Sequence, residues 1–244
     1  MRRSKIGRKY GCRVDYPRKD DVAYRPKVVR MVAELPPSVN LVDKLPACWD
    51  QGDLGSCTGH GSIGAMVFLH PEQMFSRLDA YYNGRVIEGD VDQDNGAQIA
   101  DVVMGLTNAG VVSESLWPYD PTTFATPPVD LLQDPVTTAV QTARVADLDD
   151  LKQCLAEGFP VVIGFSVYDN FESPEMAQTG ILTLPGPSDE LLGGHCVLVI
   201  GYDEATQQVF VRNSWGTAWG LSGNFYMPYA YFNTLVSDMW VIQK

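Results

Sequence analysis

The chain from about residue 31 to residue 115 carries apolar residues at helical spacing. One predicted helix begins near Ser56, places Ile63, Met66 and Val67 on one face, and ends before a proline. A second predicted helix ends before a glycine and has four apolar positions: Ile99, Val102, Val103 and Leu106. This half of the chain is therefore predicted to be mainly helical.

The second half changes character after a proline-rich stretch that follows Trp117. A short helix is predicted around residues 148–155, and runs rich in β-branched and aromatic residues follow it as predicted strands. These runs cover residues 161–167, 196–202, 209–212 and 225–227. A helical part followed by a strand-rich part predicts an α+β fold of two lobes with a cleft between them.

The beginning of the chain is strongly basic, although the whole chain of 244 residues has a net charge of −12. The first 30 residues hold 11 Lys and Arg against 3 acidic residues, a net charge of +8, which leaves −20 on the remainder. This segment has no helical period and few aliphatic residues. We interpret residues 1–35 as an extended basic arm, which Pro36 and Pro37 separate from an acidic body at 36–244.

Hydropathy and cysteine count argue against a membrane-spanning protein and against a disulfide-rich scaffold. No apolar run approaches the roughly 18 residues of a membrane helix, and no apolar stretch follows the basic start as a secretory signal requires. The cytoplasm is the default expectation, with non-classical export left open. Five cysteines are too few for a disulfide scaffold. Cys154 and Cys196 are predicted to be buried free thiols, whereas Cys12 and Cys48 are either a pair or two free thiols.

The strongest candidate nucleophile is Cys57, in the run QGDLGSCTGH. A thiol at a helix start meets the positive end of the helix dipole and unpaired N–H groups, which favour the thiolate. Such a nucleophile needs a base, and His195 precedes an apolar strand in the run GGHCVLVIGY. The later run RNSWGTAWG offers the Asn213 side chain to orient an imidazole and two indoles to exclude water.

Together these three runs resemble the papain-like family of cysteine peptidases, over about residues 35–241. His195 follows Cys57 by 138 residues and Asn213 follows it by 156, close to the 130 to 150 residues typical of the family. The resemblance implies a papain-like two-lobe fold with the active-site cleft between the lobes. The left lobe would be mainly helical, at about 36–118, and the right lobe antiparallel and β-barrel-like, at about 119–244.

The same resemblance implies a role for each site residue. Cys57 would attack the scissile carbonyl as a thiolate paired with the imidazolium of His195, while Asn213 holds the ring. The Gln51 side-chain amide and the Cys57 backbone N–H would receive the oxyanion. The implied substrate-binding residues are Asn95, Gly96, Gly194 and Trp215.

Two departures from the family affect regulation. Leu54 stands where the family usually has a cysteine, and Thr58 where it has an aromatic residue, so the usual first-lobe disulfide is not expected in its usual place. Only the basic arm precedes the peptidase part, instead of a long helical inhibitory pro-region. We therefore expect the arm to lie along or near the cleft as an intramolecular cover, released by cleavage near residues 35–38. The alternative is a disordered, solubilising tail.

The same residues also allow other functional interpretations. The run around Cys57 also resembles the elbow of class I glutamine amidotransferases, with His70 in the accompanying His-Pro-Glu, but no buried strand precedes it. Glycines 59, 61 and 64 match a dinucleotide fingerprint, yet they lie inside a predicted helix. His60 is expected to have a packing or surface role. The remaining alternative is a catalytically silent papain-fold binding module.

The sequence thus predicts a cysteine endopeptidase and zymogen that hydrolyses peptide bonds through a thioacyl-enzyme intermediate, with no cofactor and no metal. The expected partners are peptide or protein substrates and the arm itself, but not nucleic acid or a membrane. A basic arm alone would suggest binding to nucleic acid. The acidic body is attached to the arm, however, and therefore competes for it at a high effective concentration. Substrate preference, biological target, cleavage of the arm, oligomeric state and compartment stay open.

Overall fold

The computed structural model describes residues 8–27, 34–129, 131 and 140–244. The helices are α1 (Cys57–Leu69), α2 (Arg77–Glu88), α3 (Ile99–Asn108), α4 (Leu148–Ala156), α5 (Pro174–Thr179) and α6 (Tyr229–Leu235). The strands are β1 (Ser38–Asn40), β2 (Gln141–Arg144), β3 (Val161–Tyr168), β4 (Leu191–Asp203), β5 (Gln208–Arg212), β6 (Asn224–Pro228) and β7 (Val236–Gln243). This order confirms the α+β prediction.

Helix α1 is buried around its whole circumference, although the sequence predicted a single apolar face. It lies between the other helices and the sheet, so small residues are needed where its backbone approaches them. A Cβ at Gly59 would lie 2.5 Å from the Arg77 carbonyl oxygen, and one at Gly61 would lie 2.9 Å from Cys196 Sγ. The glycines that match a dinucleotide fingerprint therefore serve close packing inside a helix.

Helix α2 was not predicted, because charged and polar residues interrupt its apolar positions and it contains a glycine. Its ends nevertheless carry ordinary capping signals. The Ser76 side chain accepts from the Asp79 N–H, and Gly89 ends the helix with φ of +70°. Leu78 and Tyr81 then bury completely in the helical core.

A single antiparallel sheet forms the strand-rich half, in the order β2-β7-β3-β4-β5-β6 with β1 added to β4. The four predicted strand runs are confirmed as β3 to β6, whereas β1, β2 and β7 were missed. Alternate residues of β4 enter different cores: Val197 and Val199 face the strand-rich core, while Cys196 and Leu198 face the helical one. The sheet is therefore the wall that both lobes share.

The described part of the basic arm, residues 8–27, is extended as predicted. It is not a loose tail, because Tyr10, Cys12 and Tyr24 are all buried against the body. Isolated bridges join Cys12 to Ala97 and Ala23 to Arg144. No helix in the described part of the chain is long and apolar enough to cross a membrane.

Candidate active site

Cys57 is the first residue of α1 and is completely buried. Burial raises the pKa of its thiol to about 12, and the nearby Cys12 adds to this. Backbone N–H groups of Cys196, Gly11 and Thr58 act in the opposite direction. The expected thiolate is therefore not favoured in this covered state, because desolvation outweighs the N–H donors at the helix start.

His195 is the fifth residue of the 13-residue strand β4, and its Nε2 lies 2.8 Å from Asn213 Oδ1. The same Asn213 oxygen accepts the Ser214 N–H at 2.8 Å, which fixes the orientation of the amide. The His195 Nε2 must then carry the proton and donate it. Its Nδ1 is buried and has no hydrogen-bond partner within the described residues, so it holds an unused lone pair.

Aromatic rings enclose the His195 imidazole. The Trp215 ring lies 5.4 Å from the imidazole between ring centroids, with 31° between the ring planes, and the Phe171 ring lies 6.2 Å away. Trp219 packs on Trp215 at a centroid distance of 5.2 Å. Burial lowers the pKa of His195 to about 4, although its hydrogen bond to Asn213 raises it. Both members of the Cys57 and His195 pair are consequently neutral near pH 7 in this state.

Gln51 is buried in the segment of turns and bends that precedes α1. Its Oε1 accepts the Ser214 hydroxyl at 2.6 Å, which turns the amide nitrogen toward the cleft. The Nε2 donates to the Leu54 carbonyl at 2.9 Å and faces the Lys9 carbonyl of the arm at 3.5 Å. An amide held in this way can donate to an oxygen bound in the cleft.

The arm passes between two glycines that the sequence associated with substrate binding. A Cβ at Gly96 would lie 2.0 Å from the Gly11 carbonyl oxygen, and one at Gly194 would lie 2.2 Å from the Cys12 carbonyl oxygen. Gly96 also has φ of +79°, which favours glycine. The backbone of the arm therefore fills the space between these two walls of the cleft.

Asn95 and Trp215 differ in their relation to the cleft. The Asn95 side chain is exposed and donates to Asp90 and Gln93 of its own loop. Trp215 instead contacts the arm through Tyr10, at 6.1 Å between rings. The four predicted substrate-binding residues thus divide into three at the arm and one, Asn95, turned toward its own loop.

Sequence reasoning missed two residues at the cleft, Tyr10 and Asp94. Tyr10 packs edge-on to His195 at 5.8 Å and donates its hydroxyl to Glu172 at 2.7 Å. Asp94 accepts the Tyr81 hydroxyl at 2.6 Å and binds the Lys9 ammonium group. The signal for Asp94 was its position directly before the Asn-Gly pair, but an acidic residue in a loop is too common to single it out.

The remaining cysteines and histidines are structural in the described residues. Cys12 lies near Cys196 in the helical core, while Cys48 donates to the Asn213 carbonyl at 2.9 Å, so the two do not pair with each other. Cys154 and Cys196 are buried free thiols, as predicted. His60 is buried, with Nδ1 3.1 Å from the Ser56 carbonyl, and burial lowers its pKa to about 3. This burial and hydrogen bond agree with the packing role expected for His60.

The amidotransferase alternative does not fit the fold. His70 follows the last residue of α1, a helix of 13 residues that begins at Cys57, so the two residues lie about 20 Å apart along the axis. The segment before Cys57 consists of turns and bends rather than a buried strand. Neither feature of that elbow is present at Cys57.

Comparisons with known proteins agree with this geometry. The family model of papain family cysteine proteases matches residues 35–239, most of the chain. The chain belongs to the papain family of cysteine proteases. It is therefore a cysteine endopeptidase, a hydrolase that acts on peptide or protein substrates.

Individual proteins are similar to this peptidase over most of its length. It is 37% identical to an uncharacterized peptidase C1-like protein of Acanthamoeba polyphaga mimivirus, over 90% of this chain and 76% of that protein. The solved structure of xylellain, a cysteine protease from Xylella fastidiosa, matches with a TM-score of 0.85 and 37% identity, covering 100% and 98% of the two chains. A digestive procathepsin L 3 from Tenebrio molitor, 18% identical, shares the fold with a TM-score of 0.69, over 99% of this chain and 75% of that chain.

Proposed function

We propose that Cys57 is the nucleophile of this endopeptidase, His195 its acid and base, Asn213 the residue that orients the imidazole, and Gln51 an oxyanion donor. The observation that carries this assignment is the Nε2 to Oδ1 hydrogen bond between His195 and Asn213, 2.8 Å long. Because Nε2 donates there, the free Nδ1 is the nitrogen that can accept the thiol proton.

The reaction follows from these positions. His195 Nδ1 takes the proton of Cys57, and the sulfur forms a bond to the scissile carbonyl carbon, whose oxygen becomes negative. That oxygen accepts from the Gln51 amide and from the Cys57 N–H, and each donor of this kind is worth about 3 kcal/mol of barrier. The imidazolium then gives its proton to the leaving amine, and water hydrolyses the thioacyl-enzyme.

The arm is proposed to be an inhibitor of this reaction. Its support is the position of two arm residues in front of the site: Gln51 Nε2 faces the carbonyl of Lys9 at 3.5 Å, and the backbone N–H of Gly11 acts to lower the pKa of the Cys57 thiol. The arm thus occupies the place that a substrate chain needs.

Ion pairs in both directions fasten the arm to the body. Arg144 of the body binds Asp15 and Asp21 of the arm, at 2.8 and 2.7 Å. Four basic residues of the arm pair with carboxylates of the body: Arg8 with Asp50, Lys9 with Asp94, Arg13 with Glu88 and Arg18 with Asp101. Ion pairs at a protein surface contribute about 0.2–1 kcal/mol each, and several of these carboxylates, such as those of Asp15 and Asp101, are largely buried. Their number, together with the buried Tyr10, supports a docked arm.

Alkylation of Cys57 tests both proposals. With its pKa at about 12, the covered thiol carries almost no thiolate at pH 7, so iodoacetamide should modify it about 10-fold or more slowly than an exposed cysteine. The Tyr10→Ala variant loosens the arm, restores water and lowers this pKa, so alkylation should accelerate and reach its plateau at lower pH.

The measurement is mass spectrometry of alkylated peptides from the intact chain and from Tyr10→Ala, between pH 6 and 8. Cys48, which is buried against Asn213 and Gly223 of the body, is the internal control and should stay slow in both proteins. Equal rates at Cys57 in the two proteins would argue against an arm that controls the thiol.

A further inference from the structure

Asp94 is a carboxylate fixed in place at the wall of the cleft. Its Oδ1 accepts the Gly55 N–H at 3.1 Å and the Tyr81 hydroxyl at 2.6 Å, and the side chain is 12% exposed. The same Tyr81 oxygen accepts the Gly96 N–H at 3.1 Å. Asp94 is therefore tied to the glycine two residues before Cys57 and to the glycine that faces the arm.

A basic side chain of the arm already pairs with this carboxylate. The Asp94 Oδ2 binds the Lys9 ammonium group, while the carbonyl of Lys9 faces Gln51 Nε2 at 3.5 Å. One residue of a cleft-bound chain can therefore place its carbonyl at the proposed oxyanion donor and its basic side chain at Asp94. A substrate that takes the place of the arm leaves the same carboxylate to be paired.

We propose that Asp94 determines substrate specificity by pairing with an Arg or Lys side chain on the residue that supplies the scissile carbonyl. This inference rests on the proposed function, because the substrate must replace the arm in front of Cys57. A charge-assisted hydrogen bond to a carboxylate whose other oxygen is already held gives a preference of about 10- to 100-fold over a neutral side chain.

Two other carboxylates that pair with the arm, Asp50 and Asp101, are less suited to this task. Asp50 has a side chain that is 50% exposed, where water screens the charge. Asp101 lies on α3 and binds Arg18, nine residues further along the arm than Lys9. Asp94 is the member of the set that combines partial burial with a hydrogen bond to the loop of Cys57.

The test compares two fluorogenic peptides that are identical except for arginine or citrulline at the residue before the cleaved bond. Citrulline keeps the shape of arginine without its charge. The ratio of their kcat/KM values is independent of how often the arm is open, because the open fraction multiplies both. We expect a ratio of about 10 to 100 for the full chain, falling to about 3 or less in Asp94→Asn.

The matched control is Asp101→Asn, which removes another carboxylate that pairs with the arm and should leave the ratio unchanged. Added salt should lower the ratio in the full chain but not in Asp94→Asn. A ratio near one in the full chain, or a high ratio that persists in Asp94→Asn, overturns the assignment. If the full chain and Tyr10→Ala cleave neither peptide, the proposed function fails, a result distinct from equal cleavage of both.

Discussion

Cys57→Ala is expected to abolish peptide hydrolysis, with kcat reduced by about 10⁴-fold or more, because no other group replaces the sulfur in the covalent step. The fold should persist, since alanine fits the first turn of α1 and a buried neutral thiol is exchanged for a small apolar group. The measurement is turnover of a fluorogenic peptide together with a thermal melt of each protein.

The control for Cys57→Ala is Cys154→Ala, which also removes a completely buried free thiol but lies in the core of the strand-rich half. It should retain the activity of the parent chain after allowance for any change in stability. Hydrolysis by Cys57→Ala at a rate near that of the parent would remove Cys57 from the mechanism. The same loss of activity in both variants would indicate a general effect on folding.

The sequence predicted the α+β class and a set of candidate site residues, but not every element of the fold. Gln51, Cys57, His195 and Asn213 became candidates because each stands in a short run whose composition is constrained by its chemistry. The contacts among Gln51, Ser214, Asn213 and His195 then have the geometry that such chemistry needs. Their assigned roles stay predictions until the variants are measured.

Elements without a strong hydrophobic period were the ones missed. In helix α2 charged and polar residues interrupt the apolar positions, and tertiary burial of Leu78 and Tyr81 decides its place rather than a pattern along the chain. Strand β7 alternates between two cores, with Met239 facing one and Trp240 the other, so it has no polar face to reveal its period.

The ionisation state of the Cys57 thiol also could not be predicted from the sequence. The position of Cys57 at a helix start argued for a thiolate, but the sign of the pKa shift depends on how much of the chain covers the sulfur. The charge division of the chain did indicate that the arm and the body attract each other. It could not indicate that Tyr10, an uncharged residue, would pack on the imidazole of His195.

Tyr10→Ala is expected to raise peptide turnover by about 100-fold. Tyr10 is 4% exposed, packs against His195 and Trp215, and donates to Glu172, so its truncation removes about 3 kcal/mol from docking of the arm. Each 1.4 kcal/mol is a factor of ten in the open fraction, and only the open form admits substrate.

The control for Tyr10→Ala is Tyr16→Ala on the same arm, where the side chain is 78% exposed and the rate should stay unchanged. Tyr10→Phe keeps the ring contacts and loses the hydrogen bond to Glu172, so it should raise turnover only about 5- to 10-fold. This graded series separates release of the arm from unfolding, because a damaged fold lowers activity whereas a loosened arm raises it. Turnover in Tyr10→Ala no higher than in Tyr16→Ala, with both proteins folded by thermal melt, would refute an inhibitory arm anchored at Tyr10.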